Sequence, residues 1–220
     1  MSSYYDEQYF FAERHGGKEY LDSAGEKKQF GYTQGGIWNF QGILDKLIVL
    51  LGKPKNVLDV GAGCGGFTAA CNNNGIESIG LEFSQYAIEN AVMDSRKFLR
   101  EWDVEKIPWP VEHEYEWVTG IDLMEHLFAD RVDEVIKEMK RVASKYIIVK
   151  ICTAQRPREV WSAKRLPLNE VLEQAKMEGF EWLVVSGHLN SQFPKYWLEK
   201  FVDKDWKNRE DLGERFKMEL

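Results

Sequence analysis

Three cysteines in 220 residues, with no Cys-x-x-Cys spacing, are too few and too scattered for a disulfide framework or a structural zinc site. A reducing compartment is the expectation, and no metal is expected. Long apolar runs are missing as well, since the longest, near Leu47 to Leu51, falls far short of the ~20 residues that cross a bilayer. Residues Met1 to Phe11 are acidic and aromatic, unlike the basic-then-apolar start of an export signal. A cytoplasmic location without membrane contact is therefore expected. Basic excess is lacking too: 29 Lys and Arg against 36 Asp and Glu leave a net charge of −7. Nothing in that balance draws the chain to nucleic acid or anionic lipid, so a nucleic-acid partner is disfavoured. No internal repeat or low-complexity stretch is seen.

What remains is the pattern of one α/β domain over residues 1–220. Residues 1–55 read as a helical cap, its aromatics (Tyr4, Tyr5, Tyr9, Phe10, Phe11) suited to packing on a domain and its last part, Ile37 to Leu51, a helix stopped by Gly52 and Pro54. From Asn56 strands and helices alternate: strand 56–60, helix 66–73, strand 77–82, a helix from Ser84 to Lys97, and strands near 98–102, 115–120 and 146–152. Between the last two, Val132, Val135, Ile136, Met139 and Val142 form one helical stripe. Such alternation predicts a parallel sheet between helices. In 153–220 the pattern gives a helix from Leu168 to Lys176, a strand at 181–186, a helix from Tyr196 to Val202 and a solvated last helix with Leu212 and Phe216 inward. This last third is where specificity elements would sit.

The densest information lies in Val57-Leu58-Asp59-Val60-Gly61-Ala62-Gly63-Cys64-Gly65-Gly66-Phe67, an apolar strand running into a glycine cluster and a helix start. Bare amides in such a turn and at a helix N-terminus suit a negatively charged group. Gly61, Gly63 and Gly66 also satisfy the dinucleotide fingerprint, so the turn alone does not separate two ligand classes. Asp59 bears on the choice, because its carboxylate would face dinucleotide phosphates at short range while suiting a cationic or zwitterionic ligand. A nicotinamide dehydrogenase would instead call for an apolar residue there.

The Asp-x-Gly-x-Gly-x-Gly strand end resembles motif I of the class I S-adenosylmethionine-dependent methyltransferases. The segment Tyr115 to Leu127, ending in Glu-His-Leu, resembles the stretch after the fourth strand in small-molecule members, and Gly187-His188-Leu189-Asn190 with Tyr196-Trp197 a subset of them. The resemblance implies a three-layer, Rossmann-like fold of seven strands, mostly parallel, and S-adenosylmethionine as cofactor with S-adenosylhomocysteine as product. It implies a small-molecule acceptor methylated on O or N, and a monomer or homodimer. Transferred residue by residue, Gly61, Ala62, Gly63 and Gly65 cradle the methionine end, and Asp59 holds the loop and, through water, the amino group. Glu82, beside Phe83, takes the ribose hydroxyls. Asp103, with Trp102 and Val104, takes the adenine, and Gly120 leaves room for the sulfur.

Asp122, Glu125 and His126 then face the acceptor. His126 is the first candidate for general base and His188 the second, although Glu125 and His126 could equally brace a helix. Tyr196 and Trp197 either wall a pocket or fill the core. Lys150, Arg156, Arg158, Lys164 and Arg165 make a basic cluster open to an anionic acceptor or to solvent. Neither an Asn/Asp-Pro-Pro-Tyr tetrapeptide nor a Pro-Cys motif follows the fourth strand, which disfavours a DNA or RNA methyltransferase. A pocket that binds the cofactor without turnover is the non-enzymatic alternative.

Overall fold

The computed structural model describes residues 19–21, 27–29 and 40–211, apart from 93 and 186. The aromatic cluster of residues 4–11 and the inward-facing Leu212 and Phe216 lie outside the described residues. A short antiparallel pair, β1 (Glu19–Leu21) and β2 (Lys27–Gln29), precedes helix α1 (Phe40–Leu51). The chain then runs β3 (Asn56–Val60), α2 (Gly66–Asn73), β4 (Glu77–Glu82), α3 (Gln85–Glu89), β5 (Leu99–Glu101), β6 (Tyr115–Ile121), α4 (Val132–Val142) and β7 (Ala143–Lys150). The last third holds β8 (Trp161–Ser162), α5 (Leu168–Glu178), α6 (Glu181–Val185), β9 (Asn190–Ser191) and α7 (Pro194–Phe201).

Among the described residues the central sheet has five strands in the order β5-β4-β3-β6-β7, and every neighbouring pair is parallel. The order reverses direction between β3 and β6, which opens a crevice at the carboxyl ends of those strands. Period-two alternation sends the side chains of each strand to two cores. Val57 and Trp117 pack with Leu44, Leu47, Phe67 and Cys71 under α1 and α2, whereas Leu58, Val60 and Val118 pack with the α4 stripe and with Trp197 of α7. Helices therefore cover both faces, as expected. The five apolar positions of the predicted stripe, Val132 to Val142, are all buried.

Several elements differ from the sequence reading, among them the β1–β2 strand pair inside the stretch expected to be a helical cap. The helix expected from Ser84 to Lys97 stops at Glu89, because the chain turns back onto the glycine loop: the Val92 amide donates to the Cys64 carbonyl at 2.8 Å. Ser84 caps α3 as its sequence position suggests, accepting from the Ala87 amide at 3.1 Å. The strand expected at 181–186 is instead helix α6, docked on α5, with Leu183 and Val184 buried side by side against Val171 and Ala175. Adjacent buried residues fit a helix face, whereas a strand would send them to opposite sides. The strand expected at 146–152 begins at Ala143, directly on the end of α4. Tyr196 and Trp197 both pack in the core beside α4, and neither lines the cavity in the crevice between β3 and β6.

Candidate active site

At the switch point a cavity of about 390 Å³ opens between the β3–α2 turn, the ends of β4 and β6, and the turn after β6. The β3–α2 turn is sewn to β4. The amides of Gly61 and Ala62 both donate to the Leu81 carbonyl, at 2.9 and 3.0 Å, and the Gly63 amide donates to Glu82 Oε2 at 2.7 Å. Gly61 must be glycine twice over: its φ is +72°, and a Cβ there would stand 2.8 Å from Leu123 Cδ1. Gly80, which pairs with Asp59 across the two strands, is required by space alone, since a Cβ would lie 2.6 Å from the Cβ of Ala62.

Two carboxylates lie deep in this wall. Asp59 points toward α2, accepting from Thr68 Oγ1 at 3.0 Å and from Thr119 Oγ1 at 2.8 Å. Burial raises its pKa from 3.8 to about 6, and the two hydroxyl bonds only partly offset this. Glu82 accepts from the Ser84 amide at 2.7 Å through Oε1 as well as from Gly63 through Oε2. Its pKa is also raised by burial, against the pull of those amides. Each carboxylate oxygen can accept a second hydrogen bond, so Glu82 can hold the loop and still receive a ligand hydroxyl.

Of the residues singled out from the sequence, Asp59, Gly61, Ala62, Gly63, Glu82, Phe83, Asp103, Val104 and His126 line the cavity. Gly65, Trp102, Gly120, Glu125 and His188 do not. Gly120 shares the strand face of Val118, so a Cβ there would meet Met139 Cε at 3.4 Å in the α4 core and Leu123 Cδ2, on the cavity wall, at 3.6 Å. Gly65 abuts Ser95, 2.6 Å from the position of a Cβ. Trp102 donates from Nε1 to the Lys106 carbonyl at 2.8 Å, bracing the turn that carries Asp103.

On the turn after β6, His126 faces the cavity with Nδ1 2.9 Å from the Gly187 carbonyl. A carbonyl only accepts, so the neutral ring carries its proton on Nδ1 and its lone pair on Nε2. His188 stacks edge-on against the same ring, 5.2 Å between centroids. Glu125, fully buried behind His126, accepts from the Cys152 amide at 2.8 Å through Oε1 while Oε2 has no hydrogen-bond partner. Burial pushes its pKa up to about 7. Asp122 holds a left-handed φ of +51° at the end of β6 and is clasped by Lys150 Nζ at 2.5 and 2.7 Å. A non-glycine residue in that region stores strain, and here it lies on the cavity wall.

Three of the five residues of the basic cluster stand in ion pairs. Lys150 faces Asp122, Arg156 faces Glu159 at 2.5 Å, and Arg165 faces Glu105 and Asp130 at 2.9 and 3.1 Å. Arg165 alone of the five reaches the cavity, lying over the Phe128 ring at 5.0 Å. Phe128 and Phe40, also on the wall, escaped the sequence reading because both come from outside the strand-turn-helix core; only their aromatic bulk near a strand end could have pointed to them. Cys64 is an inert filler, its thiol pushed up to about 12 by burial and by the Glu82 charge.

Fold and cavity together define a Rossmann-like methyltransferase fold with its ligand crevice at the strand-order switch. Residues 58–146 match the family described as a methyltransferase domain. Among solved structures the chain is similar to a SAM-dependent methyltransferase from Archaeoglobus fulgidus, at 20% identity and a TM-score of 0.50, covering 79% of this chain and 66% of that one. It is similar at the same identity and score to an Anabaena variabilis protein provisionally assigned as a methyltransferase of antibiotic biosynthesis, over 73% and 59% of the two chains. A protein from Nostoc punctiforme, provisionally an O-methyltransferase, is 16% identical with a TM-score of 0.50 over 74% and 48%. The chain thus spans between about half and two-thirds of the length of these relatives. No curated protein matches it. Among the described residues no helix is long and apolar enough to cross a membrane.

Proposed function

We propose that this chain is an S-adenosylmethionine-dependent methyltransferase acting on an oxygen or nitrogen of a small-molecule acceptor. The observation that carries the reading is the wall of the switch-point cavity. It sets a glycine turn and the start of α2 beside three carboxylates, Asp59, Glu82 and Asp103, with His126 across the cavity. Phosphates would meet repulsion from those carboxylates, whereas a ligand with an amino group, a sulfonium and ribose hydroxyls is matched by them.

The residues present fit that cofactor. Glu82 has lone pairs left for the ribose hydroxyls, and Asp103, next to Val104, is placed for an exocyclic amine. Amides at the start of α2 suit a carboxylate, and Asp59, behind the glycine turn, balances positive charge. S-adenosylmethionine supplies, when bound, a methyl group activated by a sulfonium. The protein's part is alignment and exclusion of water, by Leu123, Leu127 and Phe128, and removal of the acceptor's proton by His126 Nε2.

Calorimetric titration with S-adenosylhomocysteine, and separately with NADH, tests the cofactor. Micromolar binding of the former alone is expected; binding of NADH alone would overturn the reading. His126→Ala should lower turnover by about 10²-fold or more with cofactor affinity little changed. Full activity in that variant would reduce His126 to a brace.

A further inference from the structure

We infer that Glu125, Cys152 and His188 form a zinc(II) site that clasps three loops behind the acceptor end of the cavity. A carboxylate oxygen of Glu125, Cys152 Sγ and a ring nitrogen of His188 all lie within 4.8 Å of one another. Around a four-coordinate zinc ion, with bonds of about 2.3 Å to sulfur and about 2.0 Å to nitrogen and oxygen, such donors stand roughly 3.3–3.6 Å apart. Loading would therefore need the donors to close by about 1.5 Å at most.

One feature favours an ion over chance proximity. Glu125 is fully buried, and Oε2 has no hydrogen-bond partner although Oε1 is held by the Cys152 amide. A cation would satisfy that oxygen. The three segments are already tied together at the same point, because the Leu189 amide, next to His188, donates to the Glu125 carbonyl at 2.8 Å. Glu125 follows β6, Cys152 follows β7 and His188 precedes β9, so no spacing in the sequence betrays the cluster. Mixed thiolate, imidazole and carboxylate donors select zinc over magnesium or calcium, which take oxygen alone. Binding releases the thiol proton, since the thiolate is the ligand.

The consequence reaches His126, whose ring is oriented by the Gly187 carbonyl on the loop that carries His188. Zinc is a positioning element here, and its existence does not depend on the methyltransferase reading.

Cobalt(II) titration of the metal-free protein, followed by absorption, tests the site. Cys64 and Cys71 are buried and Cys152 is the exposed thiol, so a thiolate-to-cobalt band reports Cys152. One equivalent should bind with that band, zinc should displace it, and Cys152→Ser should abolish it. His188→Ala should weaken binding by more than the roughly 10–100-fold typical of a residue that merely supports a ligand. Glu125→Gln should do likewise, and circular dichroism checks that each variant folds. Absence of stoichiometric binding would overturn the site. So would a band whose affinity is the same in His188→Ala as in the wild type, since it would mean that the thiol alone captures the metal.

Discussion

Around the glycine turn both oxygens of Asp59 and both of Glu82 have protein donors, whereas at the ends of β6 and β7 the buried carboxylate of Glu125 keeps one oxygen with none. The first region is a finished frame whose polar groups are mostly satisfied before any ligand arrives. The second leaves its demand open: close by, in β9, the buried Nδ2 of Asn190 also has no partner. A buried group of that kind costs about 1–3 kcal/mol. A fold that keeps one region closed and its neighbour unsatisfied separates a fixed ligand seat from a part completed by something else.

The sharpest way to break the comparison is to remove the charge from the finished frame. The pKa of Asp59 is raised from 3.8 to about 6 by burial, so between those values the folded protein binds a proton that the unfolded chain has lost. The group's contribution to stability is therefore complete below pH ~4 and falls as pH rises through 6, by up to about 3 kcal/mol. Asp59→Asn should abolish that slope. Thermal melts of both proteins from pH 4 to pH 8 should show the variant gaining on the wild type by roughly 6–12 °C between pH 4 and 7. A difference that stays constant with pH would refute this account. In the proposed function the same variant binds S-adenosylhomocysteine more weakly, which would explain why a costly buried charge is kept.

Next in size is Glu82→Gln. An amide has one accepting atom where the carboxylate has two, so either the Gly63 or the Ser84 amide must then face an NH2 group. The expected cost is about 1–3 kcal/mol of stability together with weaker S-adenosylhomocysteine binding. Chemical denaturation and calorimetry measure the two. Unchanged values in both would show that the glycine turn stands without its clamp.

The same contrast governs what could be read from the sequence. β3, α2 and β4 run over the residues expected, because an apolar strand, a glycine cluster and a capped helix start are local signals. Most of the cofactor-side residues lie within a few positions of those signals, and so they were legible. Gly120 is absent from the cavity lining for a reason that is also local: one step along a strand exchanges the faces, and the parity that puts Thr119 toward Asp59 puts Gly120 toward Met139 and Leu123. The strand expected at 181–186 failed because a four-residue apolar run does not distinguish a strand from a short helix until its docking partner, α5, is known. Glu125, Cys152 and His188 meet only through the tertiary fold, and Phe40, Phe128 and Arg165 reach the cavity from three unrelated segments.

The smallest effect is expected at Arg165, and it sharpens the acceptor side of the comparison. Its guanidinium is about half exposed and pairs with Glu105 and Asp130, so Arg165→Ala should cost under about 1 kcal/mol of stability. Yet of Lys150, Arg156, Arg158, Lys164 and Arg165 it is the one that lines the cavity. With an anionic acceptor the variant should raise KM and leave kcat nearly unchanged, because a charge that binds ground state and transition state alike is lost. With a neutral acceptor such as a saccharide KM should hold, since the Arg165 charge is already answered by two carboxylates. Steady-state kinetics on one acceptor of each kind decides between them, and a fall in kcat with both would place Arg165 in the alignment of the reacting groups.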